Sequence, residues 1–264
     1  MLFRSTNANG SPYATIGFQV SDGALYSASA YTLTLSVAAV NDPPTLTTVA
    51  TLTGATEDTF KEITYADLAA AANEADVDGD TLSFRIDAVS TGTLQKWDPS
   101  NGGSWVAVTA GSTFLASGEK LQWKPAADAN GTLNAFTVSA YDGSLASSSP
   151  VQVQVSVAAV NDAPVNTVPG AQTVNEDTAL AFNSTNGNAI TVSDVDGNLA
   201  TTQLSVSNGT LSVSLGSTGA TITPGTNGSN TLTLSGTQTQ INAALATLIY
   251  QGSANFNEIG RAHV

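Results

Sequence analysis

A segment of nine residues occurs twice in this chain, almost unchanged and 120 positions apart. Ser36–Pro44 reads SVAAVNDPP, and Ser156–Pro164 reads SVAAVNDAP. A fixed internal period is typical of a protein built from one supersecondary unit repeated along a line. The shared segment ends in Asn-Asp-Pro-Pro or Asn-Asp-Ala-Pro, which cannot continue a helix and favours an extended connection. We therefore interpret it as the joint between successive repeats.

Three acidic motifs recur with nearly the same spacing. They are Asp-Gly at Asp22 and Asp142, Glu-Asp-Thr at Glu57 and Glu176, and Asp-x-Asp-Gly at Asp76 and Asp194. Their order predicts the end of one repeat over residues 1–42, a complete repeat over 43–161 and an incomplete repeat over 162–257. A repeat of roughly 120 residues is long enough to bury a core of its own.

The last residues of the chain do not fit this organisation. Glu258–Val264 reads EIGRAHV, which is identified as the translation of a common sequencing-library adapter, and it contains the only histidine, His263. We therefore expect residues 258–264 to be an artefact without functional role, and the natural protein to continue beyond Asn257.

Apolar and polar residues alternate strictly before each joint. The apolar positions are Leu33, Leu35 and Val37 in the first copy and Val153, Val155 and Val157 in the second. This alternation predicts an antiparallel strand with these side chains pointing inward. An Asp-Gly turn precedes each of these strands. A second strand pattern lies before the turn, Phe18–Val20 in the first copy and Phe136–Val138 in the second. Two strands joined by such a turn are predicted to form a hairpin.

Further short strand patterns follow one another through the complete repeat, near residues 82–86, 94–97, 105–108 and 121–123. Many short strands at this spacing indicate a β-sandwich. Ala66–Ala75 and Ile241–Leu248 instead have helical patterns and are predicted as short helices packed between strands. The predicted fold is therefore all-β, with tandem Ig-like or cadherin-like antiparallel β-sandwiches and short helical insertions.

The composition excludes several classes of function. Seven basic residues against 21 acidic ones give a net charge of −14, which leaves no positive surface for nucleic acid. The chain has no cysteine and no histidine before the tail, so soft-metal and thiol chemistry is not expected. No apolar stretch approaches the roughly 20 residues of a membrane span, so we expect no membrane insertion in this segment. An acidic surface is compatible with secretion and with cations.

The clustered acids indicate where a cation would bind. Asp76, Asp78 and Asp80 alternate, as do Asp194, Asp196 and Asn198. Alternate side chains of an extended chain point the same way, so these carboxylates would crowd on one side. Calcium accepts six to eight oxygen ligands in irregular geometry, and the Asn-Asp of the joint would add two more. An EF-hand does not fit, because Thr81 occupies the position that needs glycine. The alternative interpretation is an ordinary solvated turn.

The order of these motifs resembles cadherin repeats, and more closely the cadherin-like repeats of large bacterial surface and RTX-type adhesins. The resemblance extends over residues 7–257 and implies calcium bound between repeats, with ligands from two neighbours. One implied site consists of Asn41, Asp42, Asp76, Asp78 and Asp142, and the other of Glu57, Asn161, Asp162, Asp194 and Asp196. The joint is shorter than that of animal cadherins, and their mid-repeat Asp-Arg-Glu has no counterpart.

The resemblance implies a calcium-stiffened stalk segment of a large secreted or cell-surface bacterial adhesin. Its partners would be the neighbouring repeats of the same chain, and a cell-surface or carbohydrate ligand is possible. The alternative is a carbohydrate-binding module, because Trp97 and Trp105 flank a polar turn and would form a stacking platform if exposed and coplanar. We do not expect an enzyme, since the only available chemistry is a carboxylate pair and nothing separates such a pair from the repeated acids.

Overall fold

The computed structural model describes residues 7–255, which divide into two compact units after Val160. The expected artefact at 258–264 lies outside the described residues, as does Asn257. Over residues 7–255, each unit consists mainly of short strands and contains one short helix. Neither of these helices is long and apolar enough to cross a membrane.

The first unit begins with a two-stranded hairpin formed by β1 (Gly10–Phe18) and β2 (Tyr31–Val37). The pairing of Ile16 with Leu33 fixes its register. Leu33 lies 120 residues before Val153, which pairs with Phe136, so Ile16 is the structural counterpart of Phe136. The sequence comparison that set Phe18 against Phe136 is therefore wrong by two residues.

The rest of the first unit is the central repeat, and its first sheet has five strands. Their order is β3 (Leu52–Thr56), β11 (Val151–Ala158), β10 (Gly131–Tyr141), β5 (Ser83–Val89) and β8 (Thr113–Leu115). β3 pairs with β11 in parallel, and the other neighbours are antiparallel. The predicted hairpin before the joint is thus confirmed as β10 and β11 at the centre of this sheet.

The second sheet of the central repeat has four antiparallel strands. Their order is β4 (Lys61–Thr64), β9 (Lys120–Lys124), β6 (Thr93–Asp98) and β7 (Ser104–Ala107). The helix α1 (Tyr65–Ala71) follows β4, and Thr64 and Asp67 form a capping box at its start. The helix ends earlier than predicted because Ala72 and Ala75 pair instead with Val49 and Thr45.

Side chains from both sheets form one core in the central repeat. Phe84, Ile86, Phe136 and Val138 come from the first sheet, and Ile63, Leu121 and Trp123 from the second; each is 0 or 1% exposed. Val153, Val155 and Val157 are buried among them, as the alternation predicts. The expected β-sandwich is confirmed in this repeat.

The corresponding residues of the first hairpin are not buried. Leu33 is 53% exposed and Leu35 is 36% exposed, while Val37 is half-buried. Their predicted inward orientation is wrong for the described structure. They share one face of the hairpin as expected, but no second layer of described residues covers that face.

The part of the second unit that the structure describes has eight strands in three small sheets. One sheet pairs β12 (Val165–Thr167) with β14 (Thr191–Ser193), and another has the order β13 (Ala179–Ala181), β19 (Ile249–Gln251), β16 (Thr210–Ser212). The third has the order β15 (Thr201–Ser205), β18 (Thr231–Ser235), β17 (Thr221–Gly225). The helix α2 (Gln238–Leu245) buries Ile241 and Leu245 in a core that also contains Leu232 and Leu234.

Details of packing show that this second unit repeats the body of the central repeat. A side chain at Gly92 would meet the carbonyl oxygen of Lys124 at 2.1 Å, and one at Gly209 would meet that of Gln251 at 2.2 Å. The residue before each of these carbonyls is aromatic. Trp123 donates to the carbonyl of Thr91 at 2.8 Å, and Tyr250 to that of Asn208 at 2.7 Å. The order β13–β19–β16 therefore corresponds to β4–β9–β6.

Candidate metal centre

The Asp-x-Asp-Gly motif of the central repeat folds into a loop held by its first carboxylate. Asp76 Oδ1 accepts hydrogen bonds from the backbone N–H groups of Asp78, Gly79 and Asp80, at 2.8, 3.0 and 3.3 Å. Gly79 has φ of +80°, a conformation that glycine adopts without strain. The loop is thus closed by hydrogen bonds among residues 76–80 themselves.

The same loop brings three carboxylates together. Oxygens of Asp76, Asp78 and Asp80 all lie within 4.8 Å of one another, as the alternation predicted. Asp76 Oδ2 is buried, and no donor from the described residues reaches it. Asp80 belongs to this group although the resemblance does not name it. Three anionic groups at this distance form an oxygen-only site suited to a hard cation.

The joint before the central repeat is hydrogen-bonded to this loop and to a second turn. The backbone N–H of Asp42 donates to Asp78 Oδ2 at 2.8 Å, and Asn41 Nδ2 donates to Asp142 Oδ2 at 2.8 Å. Hydrogen bonds therefore connect the five residues of the first implied site. They run from Asn41 to Asp142, from Asp42 to Asp78 and from Asp78 to Asp76. A cavity of about 190 Å³ beside them is lined by Asp42, Asp78 and the residues that flank the β1–β2 hairpin, 7–9 and 38–40.

The Asp-Gly turn that contains Asp142 stabilises the ionised form of this residue. Asp142 Oδ1 accepts the N–H groups of Ser144 and Leu145, each at 2.6 Å. The Leu145 N–H, followed by the amide of Asn41, lowers the pKa of Asp142 below its ordinary value. Asp22 occupies an equivalent turn, where the N–H groups of Leu25 and Ala24 lower its pKa in the same way.

The second unit repeats the geometry of the joint. The N–H of Asp162 donates to Asp196 Oδ2 at 2.7 Å, as that of Asp42 does to Asp78. Asp194 Oδ1 accepts the N–H of Asp196 at 3.0 Å, and Asn198 Nδ2 donates to Asn161 Oδ1 at 2.5 Å. Four residues of the second implied site are thus brought together within this unit.

Glu57, the fifth residue of that second site, lies at the end of the central repeat that carries Val160. The residue is 1% exposed, and its carboxylate accepts hydrogen bonds from the backbone N–H of Val160 and, at 3.0 Å, from Asn130 Nδ2. The Val160 N–H, and after it the Asn130 amide, lower the pKa of Glu57 below its ordinary value. That Glu57 shares a cation with residues 161–196 stays a prediction.

The structure adds polar residues around Glu57 that the motif comparison missed. Asp58 Oδ1 accepts the N–H of Asp128 at 3.4 Å, and both residues have φ near +60°, at +59° and +58°. Asp128 and Asn130 lie in the turn before β10, outside the acidic motifs that were compared between repeats. A signal was present, since asparagine and aspartate favour such left-handed turns and carry ligand oxygens.

The two tryptophans proposed as a sugar platform pack edge to face. The rings of Trp97 and Trp105 are half-buried, with centroids 5.2 Å apart and planes at 67°. Lys120 Nζ lies over both rings, at 5.4 and 5.5 Å from their centroids, and pairs with Glu62 at 2.7 Å. This arrangement lacks the coplanar exposed rings that stacking on a sugar needs.

A match to one protein family agrees with this architecture. Residues 41–156, somewhat under half of the chain, match the model of a family described as "Bacterial Ig domain". The match supports an Ig-like bacterial repeat in this segment, and with it a location outside the cell or at its surface. The comparison with curated proteins gives no match.

Solved structures similar to this chain are distant. An endo-fucoidan hydrolase of glycoside hydrolase family 107 and its H294Q variant show 18% and 19% identity, with TM-scores of 0.29 and 0.30. Each similarity covers 85% of this chain, which spans 29% of the length of those chains. Domains 4–9 of the surface layer protein SbsC show 14% identity and a TM-score of 0.22, with 84% of this chain and 30% of that chain covered.

Proposed function

We propose that this chain is a calcium-stiffened structural segment of a large secreted or surface-anchored bacterial adhesin, and that it serves as a stalk and not as an enzyme. One observation carries the proposal: at both joints, the backbone N–H of the joint aspartate donates to the second carboxylate of an Asp-x-Asp-Gly loop. A hydrogen bond that recurs at successive joints fits a role in setting the geometry between repeats.

The carboxylates at the first joint support a cation rather than a turn alone. An ordinary turn accounts for Asp76 Oδ1, which accepts three backbone N–H groups. It does not account for Asp76 Oδ2, which is buried beside two further carboxylates with no donor from the described residues. Burying an anionic oxygen without a partner is costly, and a bound Ca²⁺ would remove that cost.

A cation at this position would stiffen the joint through electrostatics. Two unit charges 4 Å apart repel by about 1 kcal/mol in water and by about 4 kcal/mol near a protein surface. Asp76, Asp78 and Asp80 therefore oppose one another when no cation is bound. Ca²⁺ would reverse the sign of this interaction and draw the loop and the joint residues Asn41 and Asp42 around one centre.

The proposed partners follow from the same features. Neighbouring repeats of the same chain would share the joints, and a cell-surface or carbohydrate ligand would be bound elsewhere in the adhesin. A net charge of −14 opposes binding to nucleic acid. The edge-to-face packing of Trp97 and Trp105 favours the structural role over the alternative of a carbohydrate-binding module.

Calcium titration of the chain with and without charge-removing substitutions tests this function. We expect the melting temperature to rise with the logarithm of free Ca²⁺ and to fall when a chelator is added. Solution scattering should show a longer particle with Ca²⁺ than with chelator. Asp78→Asn combined with Asp196→Asn should abolish both effects, because each asparagine keeps an oxygen for the joint N–H but removes the charge.

Asp98→Asn is the matched control for these substitutions. Asp98 also accepts hydrogen bonds within a turn, from Ser100 N at 2.9 Å and Ser100 Oγ at 2.6 Å, but it belongs to no acidic cluster among the described residues. The Asp98→Asn variant should still show a higher melting temperature and a longer particle with Ca²⁺. If neither the melting temperature nor the particle length of the unsubstituted chain changes with Ca²⁺, the calcium site is refuted. The clustered aspartates would then be ordinary surface charges.

A further inference from the structure

Six asparagines among residues 7–255 are followed directly by glycine. They are Asn9, Asn101, Asn130, Asn186, Asn208 and Asn227. This pair of residues is chemically labile, because glycine has no side chain to hinder an approach to its backbone nitrogen. That nitrogen can attack the side-chain carbonyl carbon, Cγ, of the asparagine before it. The two atoms must come into contact, so a fold can permit the reaction at one pair and prevent it at another.

The reaction converts the asparagine to an acid in two steps, with water as the only co-reactant. The glycine nitrogen forms a bond to Cγ, the bond from Cγ to Nδ2 breaks, and Nδ2 leaves as ammonia with the proton that the glycine nitrogen loses. Water then opens the resulting succinimide ring to aspartate or to isoaspartate. Both products add a negative charge, and isoaspartate also adds one carbon to the backbone.

The fold restrains both reacting groups at Asn227. Its Nδ2 donates to the carbonyl of Val213 at 2.7 Å, and its Oδ1 accepts the N–H of Val213 at 2.9 Å. The attacking nitrogen is occupied as well, because the N–H of Gly228 donates to the carbonyl of Leu211 at 2.9 Å. These bonds must break before the two groups can meet.

Three further pairs are restrained by hydrogen bonds or by strand pairing. Asn186 Nδ2 donates to the carbonyl of Ala181 at 3.0 Å, and Asn130 Nδ2 donates to Glu57 Oε2 at 3.0 Å. The glycine that follows Asn9 is the first residue of β1 and is paired with β2. In each case a contact outside the pair fixes one of the reacting groups.

Asn208 is restrained by packing. A Cβ on Gly209 would lie 2.2 Å from the carbonyl oxygen of Gln251 and 2.9 Å from the ring of Tyr250, so this glycine has no room to move. The hydroxyl of Tyr250 also donates to the backbone carbonyl of Asn208 at 2.7 Å. The side chain of Asn208 therefore faces a glycine that is held in place.

Asn101 has none of these restraints. It is exposed in the turn that joins β6 to β7, and neither its side chain nor the N–H of Gly102 has a hydrogen-bond partner in the part of the chain that the structure describes. A Cβ on Gly102 would meet nothing within 4 Å. Gly102 and Gly103 have φ of +68° and +69°, a region that glycine enters and leaves easily. The turn can therefore bring the two reacting atoms together by local motion.

We propose that Asn101 is a site of spontaneous deamidation in the folded protein, ahead of the other five asparagines that precede glycine, and that the product loosens β7. A carboxylate at position 101 would lie in the same turn as the carboxylate of Asp98, and isoaspartate would lengthen the turn. β7 is the strand most exposed to this change, because it begins at Ser104 and is an edge strand held in its sheet by β6.

Peptide mapping of the aged chain tests the site. Mildly alkaline pH speeds the reaction, because the attacking nitrogen must lose its proton. Trypsin then releases residues 97–120 as one peptide, in which Asn101 is the only asparagine or glutamine. Mass spectrometry should show that Asn101 is converted about tenfold or more faster than Asn227 in the folded chain. In urea the contacts of Asn227 are lost, and the two rates should become similar.

A matched variant and hydrogen exchange test the consequence for β7. Asn101→Gln keeps the amide but would have to form a larger ring, so the early product should disappear. Anion exchange separates the converted chain by its added charge. In that fraction the backbone N–H groups of Ser104–Ala107 should exchange faster than in fresh chain, whereas those of β9 should not change. The Asn101→Gln chain, aged in the same way, should show no such difference.

Three results would each overturn the proposal. One is conversion of Asn227 at the rate of Asn101 in the folded chain. Another is a lead of Asn101 that is equally large in urea, since the fold would then not be its cause. The third is unchanged exchange of β7 in the converted fraction, which would show that the turn absorbs the product without effect on the strand.

Discussion

Glu57 is a buried residue whose ionisation is tied to the fold. It is buried and accepts two hydrogen bonds, and the N–H of Val160 lowers its pKa below the ordinary value. Glu57→Gln removes the charge that these donors stabilise, so we expect a lower melting temperature for the central repeat at pH 7. Glu62→Gln is the control, because an exposed ion pair such as Glu62–Lys120 contributes at most about 1 kcal/mol.

The pH dependence of that difference has a definite sign. Because the folded pKa of Glu57 lies below its unfolded value of about 4.3, its stabilisation is fully present above that value. It is lost as the pH falls through the folded pKa, where Glu57 becomes protonated. The melting temperatures of the wild type and Glu57→Gln should therefore converge as the pH is lowered from 7 into the acid range. A difference that stays constant would refute the role of the charge.

A glycine provides a purely steric test at the same scale. Gly92 has φ of +71°, and a Cβ there would lie 2.1 Å from the carbonyl oxygen of Lys124. Gly118 has φ of +82° with open space around it. Gly118→Ala should cost only the backbone strain, about 1–3 kcal/mol. Gly92→Ala should cost clearly more, as measured by urea unfolding of the same chain.

At the scale of elements, α1 depends on its first turn. The helix has only seven residues, too few to be stable without caps and packing. Thr64 caps it by accepting the N–H of Asp67 at 3.1 Å, while Asp67 accepts the N–H of Thr64 at 2.9 Å. Thr64→Ala should destabilise the central repeat by about 1 kcal/mol in chemical unfolding. Thr64→Ser, which keeps the hydroxyl, should remain close to the wild type.

The elements also show how far the sequence alone leads. Alternation and turn chemistry were enough to predict β10, β11 and the crowding of Asp76 with Asp78, because these depend on neighbours in sequence. The parallel pairing of β3 with β11 could not be predicted, since it joins strands about 100 residues apart. Alternation also showed that Leu33 and Leu35 share a face, but not whether another layer covers that face.

At the scale of the whole molecule, each unit has its own core. All three tryptophans lie in the central repeat, so their fluorescence reports the unfolding of the first unit. Leu121→Ala should shift this transition, because truncating a fully buried leucine costs about 2–5 kcal/mol. Leu232→Ala, an equally buried position of the second unit, should leave it in place. A shift of equal size would show that the two cores unfold together.

The parallel ladder between β3 and β11 has a mechanical consequence. β3 is the first strand of the central repeat after the joint, and β11 is the last strand before the next joint. Tension applied through the two joints would pull these neighbouring strands past each other along their length. Their hydrogen bonds, from Val155 with Leu52 to Ala158 with Thr56, would then bear the load together and not break one at a time. In a pulling experiment the central repeat should rupture in one high-force event, and a proline at Ala55 should lower that force.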